Sequence, residues 1–150
     1  MPAGTGIARR LARLDWDAIA RALDANGYAT TPPLLTAAEC GALARVFPDR
    51  QRFRTVVDMA RHRFGVGEYR YFAAPLPRLV AGLRTHAYAH LVPVANRWMA
   101  RLGDPTRYPD ELAAYLARCA AAGQTRPTPL LLRYTAGGYN CLHQDLYGPM

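Results

Sequence analysis

Leu130-Leu131-Leu132-Arg133-Tyr134-Thr135-Ala136-Gly137-Gly138-Tyr139-Asn140-Cys141-Leu142-His143-Gln144-Asp145-Leu146-Tyr147 is the stretch that decides the fold. Leu130 to Tyr134 is apolar and follows Pro127 and Pro129, so it reads as a strand set off from the helices before it. Ala136-Gly137-Gly138 reads as a turn, and Tyr139 to Tyr147 as the strand that returns beside Leu130–Tyr134. On a strand, residues two apart project from the same face, so His143 and Asp145 point one way. An imidazole and a carboxylate so placed can reach one metal ion, and a further distant histidine would complete a facial triad that leaves coordination sites open.

The bare pair is a weak signal. Four histidines and eight aspartates in 150 residues give roughly 0.2 such pairs by composition alone. A surface histidine hydrogen-bonded to a nearby carboxylate is the competing reading, and on the pair alone it is preferred.

Upstream, the chain is mainly helical. Leu11, Leu14, Ile19 and Leu23 form a helical stripe, with Asp15 placed as a cap and Asn26-Gly27 as a stop. Thr36 and Glu39 have the spacing of a capping box, so a helix should run to about Val46 and end at Pro48. Phe53–Met59 and Glu68–Phe72 read as strands, with a turn at Gly65-Val66-Gly67. In Glu68-Tyr69-Arg70-Tyr71-Phe72 aromatics alternate with charges. Packing of the aromatics in a half-buried strand is favoured over stacking on bases. A long helix is expected from about Pro77 to Leu102, kinked by Pro93, followed by one starting at Pro109 and ending by Gly123. His86 and His90 lie one turn apart on the long helix. The residues between them, Ala87-Tyr88-Ala89, lack the acidic partner of a zinc-protease motif, so both read as ordinary helix residues.

Composition limits the function classes. A hydrophobic share of 51% with 20% charged residues belongs to a globular chain. No apolar run approaches the ~20 residues of a membrane span, and no secretory leader is recognisable, so a cytoplasmic protein is expected. Cys40, Cys119 and Cys141 have no CxxC spacing, which argues against a disulfide framework or a thiolate zinc site. The net charge of +8 is carried by arginine alone, without a single lysine. With abundant alanine, this suggests codon bias, and a solvated basic surface is preferred over phosphate binding.

The segment around His143 resembles the Fe(II)/2-oxoglutarate-dependent dioxygenase superfamily, close to prolyl 4-hydroxylase-like enzymes and nucleic-acid-repair demethylases. Tyr134, Gly137, His143 and Asp145 stand in the order and spacing of that superfamily's turn and metal motif. The stretches FRTVVDMARHRFGVGEYRYF, PLPRLVAGLR, GQTRPTPLLLRY and LHQDLYG also look like a bacterial oxygenase family proposed to act on damaged nucleic acid.

The resemblance implies an α+β fold: N-terminal helices packed on the start of a double-stranded β-helix (jelly-roll). Residues 1–123 would form a mainly helical support region, and 124–150 the first core strands with the metal motif, in a single domain of 1–150. It implies His143 and Asp145 as Fe(II) ligands and Tyr134 as donor to a 2-oxoglutarate carboxylate, with O2 as co-substrate. A core tyrosine packing the hairpin is an equally weighted role for Tyr134. Asn140 reads as a turn cap and Arg133 as solvent-facing. The distal histidine and the basic partner of 2-oxoglutarate have no counterpart here, so the chain is expected to be truncated and inactive by itself. Substrates left open are damaged nucleic acid and a protein side chain. The competing class is a catalytically inactive remnant serving as a binding module.

Overall fold

A computed structural model of the protein describes residues 3–143. The chain divides into two compact units. The first takes the residues up to Glu39 and Pro77–Gln124; the second takes Cys40–Leu76 and the residues from Thr125 onward.

The first unit is helical: α1 (Ala3–Ala12), α2 (Trp16–Asn26), the first turn of α3 (Ala37–Val46), α4 (Arg78–Arg101) and α5 (Leu112–Ala121). The expected stripe from Leu11 to Leu23 is split into two helices, because the Asp15 carboxylate accepts from the Ala18 amide at 2.8 Å and starts α2 afresh. Gly27 closes α2 in the left-handed conformation, φ 76°. The Trp16 indole N–H donates to the Leu11 carbonyl at the end of α1, and the ring stacks on His90 at 4.4 Å. Ile7 and Leu11 are fully buried, and α1 packs on α4 where Gly82 admits the Ile7 side chain closely.

Asp24 joins α2 to α4. Its carboxylate accepts from the Trp98 indole at 2.8 Å and faces Arg101 at 3.0 Å. The Trp98 hydrogen bond, more than the arginines, holds its pKa below the usual range.

The capping box forms as the spacing requires. The Glu39 amide donates to the Thr36 hydroxyl, and the Glu39 carboxylate accepts from the Thr36 amide and from Arg10 at 2.8 Å. The Thr36 amide first, and Arg10 second, depress the Glu39 pKa below its ordinary 4.5. A depressed carboxylate stabilises the fold above its unfolded pKa and loses that contribution as pH falls through the folded value. Thermal melts should therefore show stability declining below about pH 4.5, with a flatter acid limb in Glu39→Gln. Parallel acid limbs in the two proteins would remove Glu39 from the explanation.

α4 carries Pro93 within it, flanked by the buried Val92 and Val94. One expectation for this unit is corrected. α5 starts at Leu112 and not at Pro109, because the segment before it is held otherwise. The Pro109 carbonyl accepts from the Tyr88 hydroxyl at 2.6 Å, and the Tyr108 amide donates to the Asn96 side chain. Tyr115 sits among Tyr88, Tyr108 and buried Cys119; burial and its hydrogen bond with Cys119 push its pKa up to about 12. No helix among the described residues is long and apolar enough to cross a membrane.

The second unit is a small antiparallel β-structure that completes a mixed α+β chain. Its strands are β1 (Phe53–Asp58), β2 (Gly65–Val66), β3 (Glu68–Phe72), β4 (Leu130–Arg133) and β5 (Tyr139–Asn140). β3 lies between β1 and β4, and β2 pairs with β5. The hairpin expected between Leu130–Tyr134 and Tyr139–Tyr147 is thus replaced by two long-range pairings. Leu131 stands opposite Arg70, and Tyr139 opposite Val66. The turn between them does close, with the Gly138 amide donating to the Thr135 carbonyl at 2.7 Å. Residues 144–147 of the expected return strand lie outside the described residues.

The core side of β3 is the unexpected one. Arg70 and Phe72 are buried, whereas Tyr69 and Tyr71 face the other way and are only half-buried. Phe72 stacks on Phe53 at 5.0 Å. The Arg70 guanidinium lies over the Phe47 ring at 4.2 Å, donates to the Phe47 carbonyl, and pairs with Glu68.

Candidate functional site

The tyrosine face of the second unit forms the floor of an open concavity of about 760 Å³. The register explains why these side chains meet. Tyr69 stands opposite Leu132 and Tyr71 opposite Leu130, so four apolar side chains from β3 and β4 share one face. Met59, Arg63 and Phe64 form one stretch of wall and the segment Asn140–His143 the adjoining one.

Both walls are tied together by backbone. β2 and β5 form a two-residue ladder, and the Cys141 amide donates to the Phe64 carbonyl at 2.8 Å. The Cys141 thiol reaches the Arg63 carbonyl at 3.6 Å. Gly65 permits this approach: its φ is 127°, and a Cβ there would stand 2.1 Å from the Tyr139 carbonyl oxygen. Val66 and Tyr139, the second pair of the ladder, stay exposed.

His143 follows the end of β5 and does not lie within a described strand. It is exposed at the mouth of the concavity, with Nδ1 2.8 Å from the Cys141 carbonyl. Asp145 lies outside the described residues. Among the described residues, no three histidine, cysteine, aspartate or glutamate side chains come together as a metal site. Tyr134 stands just past β4, about two-fifths exposed. Its ring covers Gly67, whose added Cβ would meet it at 2.9 Å. Arg133, read as solvent-facing, is more than half exposed yet lies over Phe47 at 4.6 Å.

Reading by residue type passed over two members of this site. Arg63 is exposed on the rim and is the sole non-glycine with positive φ, 59°, among the described residues. Asn140 was taken for a turn cap, but it lines the wall. Tyr69 and Tyr71 were expected to pack in a half-buried strand; they are half-buried, and they also line the concavity.

A family model described as "Oxygenase, catalysing oxidative methylation of damaged DNA" matches residues 67–150. That span includes Tyr69, Tyr71 and the whole segment from Leu130 to Asp145. Two proteins of Mycobacterium tuberculosis, Uncharacterized protein MT2286 of strain CDC 1551 / Oshkosh and Uncharacterized protein Rv2227 of strain ATCC 25618 / H37Rv, are each 47% identical over 79 residues. The match takes in 53% of this chain and 34% of each relative, so it spans about a third of their length. No solved structure matches the chain.

Proposed function

The chain belongs to the oxygenase family described as catalysing oxidative methylation of damaged DNA, and on that premise we propose that it carries part of the active site of an Fe(II)- and 2-oxoglutarate-dependent oxygenase acting on damaged DNA. The observation that carries the reading is His143 held at the mouth of an aromatic-floored concavity, two residues before a carboxylate in sequence. The donor types fit the metal: an imidazole and a carboxylate suit non-haem iron and leave coordination sites for a chelating oxoacid. His143 and Asp145 would hold the ion.

Bound Fe(II) with 2-oxoglutarate supplies the oxidising power to insert one oxygen atom of O2 into a C–H bond, with succinate and carbon dioxide as co-products. The chain's own groups position and shield. A proton on His143 Nδ1 donated to the Cys141 carbonyl puts the lone pair on Nε2, the tautomer a ligand through Nε2 needs. Tyr134 is the donor proposed for a 2-oxoglutarate carboxylate, its ring fixed by Gly67. Leu130, Leu132 and the two tyrosines keep the floor apolar, which limits water around the reacting bond. In this reading β3, β4 and β5 belong to a jelly-roll.

The test is an anaerobic Fe(II) titration with 2-oxoglutarate on the protein at the full length of its relatives, following the visible charge-transfer band of the chelate. The band should form and be lost in His143→Ala. Succinate release should fall by at least ~100-fold, because even partners of metal ligands cost 10–100-fold when removed. A band that survives His143→Ala would overturn the assignment.

A further inference from the structure

The aromatic wall faces the concavity and not the core, and this placement bears on what the concavity receives. Tyr69 and Tyr71 lie edge to face at 5.6 Å on its floor and are only half-covered. The Arg54 guanidinium lies over one face of Tyr71, 4.6 Å from the ring centroid, and is itself anchored by donating to the Pro127 carbonyl at 2.9 Å. Asn140 and Arg63 both line it, on neighbouring segments. No aspartate or glutamate lines the concavity among the described residues, so its charge comes from arginine. Its volume of about 760 Å³ exceeds the needs of one flat ring system and lies inside the ~300–1,000 Å³ range of small-molecule sites.

We propose that this concavity seats a single unpaired nucleobase, with Tyr69 and Tyr71 as the stacking wall, Asn140 as the reader of the base edge and Arg63 as the cation for a flanking phosphate. The proposal rests on the reading of the chain as an oxygenase of damaged DNA. Each group has a distinct chemical part. Aromatic faces stack on any base, which gives affinity without sequence preference. An asparagine amide offers a donor and an acceptor side by side, the pattern that pairs with a base edge. Arg63 is an exposed cation whose left-handed backbone, φ 59°, closes the short turn Ala60–His62. A base inside a duplex cannot reach such a floor, so the substrate must be single-stranded or flipped out.

The experiment uses the full-length protein and a seven-nucleotide single strand carrying a central 2-aminopurine, whose fluorescence is quenched by stacking on an aromatic ring. An end label reports binding by anisotropy. The strand should bind with quenching. Tyr69→Leu and Tyr71→Leu should each weaken it by roughly 10-fold or more and reduce the quench. Tyr69→Phe and Tyr71→Phe should keep both. Arg63→Ala should weaken binding evenly across sequences and lower the salt slope by about one. A strand with an abasic centre should bind the wild type more weakly, a comparison that holds even if a leucine variant fails to fold. If the intact and abasic strands bind equally, or the quench survives both leucine variants, the base site is wrong while the DNA reading stands. If no strand binds but the chelate band forms, the base site is again wrong, and the oxygenase must take a substrate other than DNA.

Discussion

Gly65→Ala is expected to release the His143 segment from the wall of the concavity while leaving the three-stranded sheet intact. The contact it creates is with backbone. The new Cβ would meet the Tyr139 carbonyl oxygen at 2.1 Å and the Asn140 Cα at 3.0 Å, and no rotamer change can relieve either. The φ of 127° adds strain for any residue with a Cβ. The β2–β5 ladder is two residues long, so it has no second register to fall back on. A strained residue of this kind costs up to ~3 kcal/mol, roughly 100-fold in an opening equilibrium. Hydrogen exchange should show the Cys141 amide, which donates to Phe64, losing about that much protection. Amides between β3 and β4 should keep theirs. The iron–2-oxoglutarate band should weaken in parallel. Gly137→Ala is the control, because its φ is also positive, at 80°, but an added Cβ meets nothing within 4 Å. Unchanged protection at Cys141 in Gly65→Ala would mean that the ladder does not position His143.

The same ladder marks the limit of what the sequence discloses. Signals that act within one turn of chain were readable: the Asp15 cap, the Gly27 stop and the Thr36–Glu39 box all depend on residues at most a few positions apart. The strands Phe53–Asp58 and Glu68–Phe72 were readable from their β-branched and aromatic content. The mixed α+β class followed from helices preceding the strand-rich end. Strand partnership was not readable. Leu130–Arg133 looked like half of a local hairpin, yet it pairs with Glu68–Tyr71, some sixty residues back. Loop length carries no information about which of two distant edges a strand will choose.

The site shows the same division. His143 stood out because a ligand pair has a fixed spacing, and the chain does bring it to the mouth of a concavity. The half-buried strand beneath it was expected, but alternation in Glu68–Phe72 fixes two faces without saying which is the more covered. Arg70 went inward because partners were available on that face: the Phe47 carbonyl and ring, distant in sequence, and the Glu68 carboxylate, two residues back on the same strand.

Arg70→Ala should therefore strongly destabilise the second unit. Arg70 is 6% exposed and is the single buried charged residue among the described residues. Its removal strips a donor from the Phe47 carbonyl and the cation from above two aromatic rings, Phe47 at 4.2 Å and Phe53 at 5.7 Å. Breaking a fully buried ion pair costs about 3–5 kcal/mol. The Glu68 side chain is 24% exposed and keeps Arg133 at 3.9 Å, so the lower end, about 3 kcal/mol, is expected here. For a chain of this size that corresponds to a melting temperature lower by roughly 6–12 °C. Arg70→Lys should recover only part, because an ammonium cannot stack flat on Phe47 while donating in two directions. Adding Glu68→Gln to Arg70→Ala should restore some stability, since the carboxylate left behind is then neutral, and a double-mutant cycle reads that coupling directly. A loss below about 1 kcal/mol for Arg70→Ala would place it with ordinary surface changes. The guanidinium would then be an occupant of the core side of β3 and not its anchor, and the orientation that turns Tyr69 and Tyr71 toward the concavity would need another cause.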